Sequence, residues 1–325
     1  MEMDLTLLLS SVVAGAAPIL LATLGETITE KTGIINLSLD GSILLSAMVA
    51  FVVAFKTNSV ITGFAVASIV GASIAALVAF FSVYLRQSQV AVGFVLTLMT
   101  RDLAYFLGNP YSRINGPQAI LHPVPFFTDI PFLGDIIFNH SVPVYLSMIL
   151  IWVCWWYIYR TPLGLELRSV GEHPGASYAR GIDPQRRQML YAICGGALVG
   201  CAGATFSLYT KPGWGRPQGA EGSGWIALAL VIFGGWHPVR AAVGAYLFSF
   251  LQVMGIYLQG WIPSVPAQVF QIAPFPLMIF TLLIMYLVRK ESVLRWAEDK
   301  KTIKSILRVF SEAAPTALGK PYVKE

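Results

Sequence analysis

Charge is scarce in this chain: Asp, Glu, Lys and Arg make up 12% of its 325 residues, against about a quarter in soluble domains. Hydrophobic residues make up 56% and the mean hydropathy is +0.67, which excludes a soluble fold and leaves an integral membrane protein. The alternation that marks the strands of a membrane barrel is absent, whereas apolar runs long enough to cross a bilayer as helices recur. Cysteine is rare too, and Cys154, Cys194 and Cys201 all fall in apolar stretches without ligand spacing. That argues against a metal site or a disulfide and for core packing. No G-x-x-x-x-G-K-[ST] phosphate loop is present. The nearest fragment, Leu318-Gly319-Lys320, has no upstream glycine and runs into Pro321. H-E-x-x-H is missing, and His122, His140, His173 and His237 are scattered. An enzyme reading therefore has nothing to rest on: no catalytic residue, no metal and no cofactor bound by this chain are expected. Any work the protein does draws on a gradient or on another subunit. The net charge of +5 does not point to nucleic acid, because most basic residues fall in residues 160–187 and the C-terminal tail. That is the distribution of cytoplasmic loops. The N-terminal MEMDLTLLLSS lacks a basic n-region, so the first apolar run is expected to remain as a span.

Spans are expected at residues 7–24, 41–55, 59–85, 90–108, 142–159, 189–208, 241–258 and 272–288, with a further short apolar piece at 225–235. The fold class is all-α: a polytopic bundle of about eight to ten spans with discontinuous helices. Residues 25–40 are too polar for a lipid-facing helix, 109–140 read as a long external loop, and 209–224 form a glycine-rich connection. The fifth span ends in Trp152, Trp155, Trp156, Tyr157, Tyr159 and Arg160, an aromatic belt finished by a cation. Trp214, Trp225, Trp236 and Trp261 read as further belt residues, and the pair Arg101-Asp102 as an interhelical pair or interface anchor. Placing the basic stretch 160–188 inside puts residues 109–140 and the N-terminus outside. The chain divides into a transmembrane unit, residues 1–288, and a cytoplasmic basic tail, 289–325.

The stretch 160–187 is punctuated by Thr161-Pro162, His173-Pro174 and Asp183-Pro184. Thr and Asp are good N-caps and proline suits the first helical position. A helix over 162–170, a two-turn helix over 174–180 and a third starting at Pro184 follow, with Gly171 and Gly181 as stops. The middle helix is too short to persist alone. It carries Gly175, Ala176, Ser177 and Ala179 where a core helix would carry Leu or Ile, so a groove on another protein is expected to hold it. A structured loop on the membrane surface is the competing reading.

Two short apolar pieces begin with an acid-Gly-Ser signature, Asp40-Gly41-Ser42 and Glu221-Gly222-Ser223, each after a full span and a glycine-bearing polar stretch. In the topology above they run in opposite directions. Short, glycine-interrupted segments at matching places in two halves point to an inverted repeat whose broken helices line a transport pathway; three residues are also within reach of chance. Charge inside the bilayer is costly and tends to face a cavity. Asn36, Ser38, Asp40, Ser42, Glu221 and Ser223 are therefore expected beside the pathway. The plainer alternative is that Asp40 and Glu221 cap the helices that follow them, with Asn36 and Ser38 satisfying broken backbone.

Three stretches resemble the permease subunits of ATP-binding-cassette importers for simple sugars, nucleosides and branched-chain amino acids. Residues 25–48, GETITEKTGIINLSLDGSILLSAM, are similar to that family's acid-x-x-x-E-(K/R)-(S/T)-G run. Residues 170–182, VGEHPGASYARGI, are similar to its VGE-N-P-x-A-A-x-x-x-GI motif, and FGGWHPVRAAVGAYLFSFLQV to its LGG-x-x-P-x-G turn and following helix. Departures are His173 in place of Asn, Ser177 in place of Ala, and Arg240 where Gly commonly follows the turn. The resemblance implies that Gly171, Glu172, His173, Pro174, Ala176, Ala179 and Gly181 belong to a coupling helix seated in an ATPase subunit. On that reading Glu172 pairs with a cation of the ATPase or caps the helix. It also implies ATP and Mg on that subunit, a second and unlike permease, an extracytoplasmic solute-binding protein and a place in the bacterial inner membrane. Nucleosides or purines lead as solutes, with simple sugars and riboflavin behind. A gradient-driven carrier is the alternative of another class; Asp40, Glu221 and the Arg101-Asp102 pair are its candidate titratable groups.

Overall fold

In the computed structural model, residues 4–128, 130–261, 314–320 and 322 are described, together with Val269, Pro276, Ile279, Phe280 and Leu283. Most of the expected span 272–288 and most of the tail from 289 lie outside the described residues. Ten α-helices form among the described residues: α1 Leu5–Lys31, α2 Leu39–Thr57, α3 Val60–Ala79, α4 Gln89–Gly108, α5 Val142–Arg160, α6 Pro162–Glu172, α7 Pro174–Ala179, α8 Pro184–Thr205, α9 Ser223–Phe233 and α10 Pro238–Trp261. Wider turns prolong α3 through Phe80–Tyr84 and α8 through Phe206–Thr210. Among the described residues seven helices are long and apolar enough to cross a membrane, and α9 is a shorter apolar helix. The fold is the expected all-helical polytopic bundle.

Local chemistry sets the ends. Asp4 accepts from the amide of Thr6 at 2.9 Å, Thr161 Oγ1 from Gly164 at 3.0 Å and Asp183 from Gln185 at 3.0 Å, each satisfying a first-turn N–H that has no partner within its helix. α2 stops at Asn58, in the left-handed conformation with φ 51°.

Two boundaries differ from the sequence reading. α1 does not stop at residue 24; it continues through Lys31, because its polar residues face inward. Thr23, Thr27 and Thr29 return their hydroxyls to the helix's own carbonyls at 2.7, 2.7 and 3.1 Å. Glu26 and Glu30 are buried, and both carboxylates accept hydrogen bonds from elsewhere in the chain. The break between α1 and α2 is confined to residues 32–38. Likewise Gly171 does not end α6 but lies inside it, where a Cβ would stand 2.0 Å from the carbonyl oxygen of Lys31. Its missing side chain serves close packing. Gly181, with φ +84°, is the stop that the sequence suggests.

α2 lies at the centre of the bundle, packed by α3, α4, α8 and α9. Its side chains from Leu39 to Met48 are all buried. α1 crosses α8 at a reciprocal contact, where a Cβ on Gly25 would sit 2.5 Å from the Gly195 oxygen and one on Gly195 2.5 Å from the Gly25 oxygen. Small residues at such crossings let backbones approach, and that packing drives association where lipid supplies no hydrophobic force. Gly195→Ala is expected to lower stability by about 1–3 kcal/mol through overpacking, read as a fall in melting temperature of the detergent-solubilised protein. Gly175→Ala on α7, where nothing lies within 4 Å of a Cβ, leaves it unchanged.

Candidate functional site: a half-helix junction and a coupling corner

α2 and α9 meet start to start. A Cβ on Gly224 would lie 2.2 Å from the Asp40 nitrogen, so the first turns of the two helices touch. From this junction they run apart. α2 ends beside Tyr111 at the end of α4, with Lys56 over its ring at 5.6 Å. α9 instead descends to Trp236, whose indole N–H donates to Glu30 near the end of α1. The two acid-Gly-Ser pieces thus run in opposite directions, as the sequence suggested, and their N-termini converge inside the bundle.

Asp40 stands in the first turn of α2, and its Oδ1 accepts from the Gly224 amide at 3.2 Å. It caps the opposite half-helix, not its own. Asn36 Oδ1 accepts from the Ser38 amide at 3.1 Å and from Ser38 Oγ at 2.5 Å; Ser38 Oγ lies 3.2 Å from Ser42 Oγ. These four residues and Ser223 are all buried, and Ser223 Oγ donates to the Ala220 carbonyl. Satisfying the broken backbone is what Asn36 and Ser38 do. Glu221 does not cap α9; its carboxylate accepts from the Tyr105 hydroxyl and from the amides of Gln218 at 2.7 Å and Gly219 at 2.6 Å. Burial works against its charge, but the hydrogen bonds from Tyr105 and the loop amides outweigh it and hold the carboxyl below its ordinary range.

Several residues of this region were not singled out in the sequence. Glu26 Oε1 accepts from the Asn36 amide at 2.9 Å, and Glu30 from the Trp236 indole. One turn of α1 thereby holds both the entry to α2 and the exit from α9. The i, i+4 spacing of the two acids in the run 25–48 is the signal that could have found them. Gln89 Oε1 accepts from the Ile35 amide at 2.8 Å, and Thr97 Oγ1 donates to the Leu37 carbonyl at 2.6 Å, tying the same break to α4. Two belt assignments are corrected. Trp236 is 5% exposed and Trp214 4%, because each has an interior partner: Glu30 for the first and Tyr105, with ring centroids 5.8 Å apart, for the second. Trp225 and Trp261 are exposed. Neither Arg101 nor Asp102 forms an ion pair among the described residues.

At the far end, α6 and α7 make a corner. Arg187 Nη2 lies 2.5 Å from Glu166 and binds the start of α8 to α6. Buried Ser177 fastens α7 to α6 through Ser169 Oγ at 3.1 Å and the His173 carbonyl at 3.1 Å. Gly175, Ala176 and Ala179 are exposed. Glu172 neither caps α7 nor stands free. Its Oε2 accepts from the amide and hydroxyl of Thr316 at 3.1 and 2.7 Å. The turn that carries Thr316 also links Ala317 N to Gly171 O at 2.9 Å and Gly319 N to Gly33 O at 3.0 Å. This segment straps the corner to the break between α1 and α2. Gln188 Nε2 adds a bond to the Thr32 carbonyl at 3.0 Å. No three His, Cys, Asp or Glu side chains come together as metal ligands among the described residues.

A polytopic helical bundle in which a short helix, α9, meets the start of α2 inside the protein is an architecture of solute-conducting membrane proteins. The chain belongs to the family of permease components of branched-chain amino acid transport systems, which it matches over residues 8–287. It is a permease subunit of an ATP-binding-cassette transporter. It is 36% identical to the protein TsgC13 of Haloferax volcanii over 256 residues, 78% of each chain. It is 28% identical to the nucleoside ABC transporter permease protein NupC of Lactococcus lactis subsp. cremoris over 319 residues, 93% of this chain and 98% of that one. The guanosine ABC transporter permease protein NupQ of Bacillus subtilis is 28% identical over 304 residues, 86% of this chain and 93% of its own. The same organisms supply further matches, the glucose ABC transporter permease protein TsgB13, the nucleoside one NupB and the guanosine one NupP. No solved structure matches.

Asp40→Ala leaves the Gly224 amide without its acceptor and is expected to cost about 1–3 kcal/mol; Asp40→Asn keeps an oxygen there and costs less. Thermal unfolding of the two variants side by side checks the order. The Glu221 carboxyl, depressed from its usual 4.5, adds stability in full above that pH, and loses it as pH falls through the lower folded value. Glu221→Gln should flatten the acid side of a melting-temperature profile and leave the neutral side level.

Proposed function

We propose that this chain is one of two unlike permeases in an ATP-driven importer of nucleosides or simple sugars, and that α7 is the part an ATPase subunit grips. The observation that carries the reading is α7 itself: anchored from behind by Ser177, with Gly175, Ala176 and Ala179 exposed. A two-turn helix with a face of small side chains admits the walls of a groove closely. Gly171, Glu172, His173, Pro174 and Gly181 shape its base and its end. Force from the ATPase, which binds ATP and Mg, enters through α7. It reaches α1 by the contact of Gly171 with Lys31 and the opposed half-helices by the break beyond it. Asn36, Ser38, Asp40, Ser42, Glu221 and Ser223 would then shape the pathway more as its frame than as its lining.

The solute class and the second permease are supported by the relatives, which come from organisms each contributing two matching permeases. The importer would take its cargo from an extracytoplasmic solute-binding protein. The chain would then lie in the bacterial plasma membrane, with residues 160–188 and the tail 289–325 on the cytoplasmic side of a transmembrane unit, 1–288. Replacing residues 172–181 by a Gly-Ser linker is expected to abolish copurification of the ATPase while the protein still inserts, and to stop uptake of labelled nucleoside and sugar. Uptake that persists without ATP and collapses with a proton uncoupler would instead make the protein a gradient-driven carrier.

A further inference from the structure

We propose that the cleft at the outer end of α4 is a docking subsite for a neutral ring bearing adjacent hydroxyl groups, the part that a nucleoside and a simple sugar share. This rests on the import reading above and narrows its solute. The cleft holds about 650 Å³ and is lined by Asp102, Tyr105, Phe106, Asn109 and Arg216 among others. Small-molecule sites commonly occupy a few hundred to a thousand Å³. Its place is the end of α4 farthest from the coupling corner. Tyr105 ties it to the half-helix junction: the ring forms part of the cleft wall, and the hydroxyl donates to Glu221 two residues before α9. A solute released from outside meets this cleft before it meets the junction.

The side chains define the ligand. Asp102 lies on the exposed face of an apolar span, and among the described residues it has no hydrogen-bond or ion-pair partner. A charge so placed tends to face a polar cavity. Arg216 holds its guanidinium 4.8 Å from the centre of the Tyr105 ring, and Trp214 packs against the same residue at 5.8 Å. With the tyrosine so engaged, recognition in the cleft falls to its polar side chains. What the cleft offers is an acceptor-only carboxylate, a donor-only guanidinium and an amide able to do both. Their charges cancel, so the pair favours neither an anion nor a cation over a neutral solute. A hydroxyl donates once and accepts twice. Two neighbouring hydroxyls can therefore donate to Asp102 while accepting from Arg216, with Asn109 free to serve either. Phe106, 77% exposed, presents an apolar surface to the carbon face of the ring.

The test uses the transporter purified with its paired permease and ATPase in lipid nanodiscs, without solute-binding protein. Saturation-transfer nuclear magnetic resonance is recorded with ribose, glucose, adenosine and adenine as probes. Transfer to the sugar-ring protons of adenosine and of ribose or glucose is expected, with none to adenine. Comparing ribose and adenosine with glucose tells a nucleoside importer from a hexose importer. Asp102→Asn and Arg216→Gln should each raise the apparent Kd about tenfold, the loss of one charge-assisted hydrogen bond. Arg216→Lys, which keeps the charge and loses the planar fork, falls between. Copurification of the ATPase and its solute-independent hydrolysis should be unchanged in all three. The proposal is overturned if adenine saturates as strongly as adenosine, or if the variants leave the ribose and glucose signals intact. ATP-driven uptake that is normal in wild type and untouched in the variants sinks the subsite and leaves the import reading standing. Sugar-ring signals lost in the variants, from a complex that moves no solute with ATP, uphold the subsite and sink that reading.

Discussion

One carboxylate holds two helix starts together. The N-terminus of an α-helix carries the equivalent of about half a positive charge; in this protein α2 and α9 point two such ends at each other inside an apolar bundle. Unbalanced, they would repel, and their free amides would have no water to turn to. Asp40 answers both demands. It stands in the first turn of α2, and its Oδ1 takes the Gly224 amide in the first turn of α9. The glycine at 224 is required by the same contact, because any side chain there would strike the Asp40 backbone.

Around this junction the chain builds a polar frame out of neighbours distant in sequence. Glu26 and Glu30, one turn apart on α1, reach the two connections that leave the junction in opposite senses, through Asn36 and Trp236. Gln89 and Thr97 hold the same break from α4. The α1–α2 break is thus fixed on two sides inside the bundle and, through Gly33 and Thr32, on a third by the strap and Gln188. Displacing α7 pulls on Gly171 and Glu172, and through them on a segment already bonded to Gly33. Hydrogen bonds thus run without a gap from the corner of α6 and α7 to the break that leads into α2.

Much of this was legible in the residue order, and the exceptions have a common cause. Thr161-Pro162 and Asp183-Pro184 announce α6 and α8, because a cap and a proline act on their own first turn. The acid-Gly-Ser pair locates the starts of α2 and α9, although α2, read as a short piece over 41–55, runs 19 residues from Leu39 to Thr57. Residues 25–31 misled: hydropathy scores Glu26 and Glu30 as unfit for the bilayer, yet the partner that accommodates Glu30 lies 206 positions away. Trp236 misled for the converse reason, since an indole at a span end looks like a belt until its acceptor is seen. Asp40 was read as a cap and is one, but of a helix 184 residues further on; no local pattern distinguishes a cap given to one's own helix from one given to another.

The strap at Thr316 also bears on the order in which the protein becomes whole. Glu172 leaves the ribosome 144 residues before the threonine that binds it, and every described span has been made by then. Until that late turn arrives, Gly171 and Gly33 hold carbonyls without their amide partners, and the platform beneath α7 is unfinished. A chain arrested short of residue 316 would carry the ten described helices yet present a loose corner, since the bonds to Gly171, Glu172 and Gly33 all come from that turn.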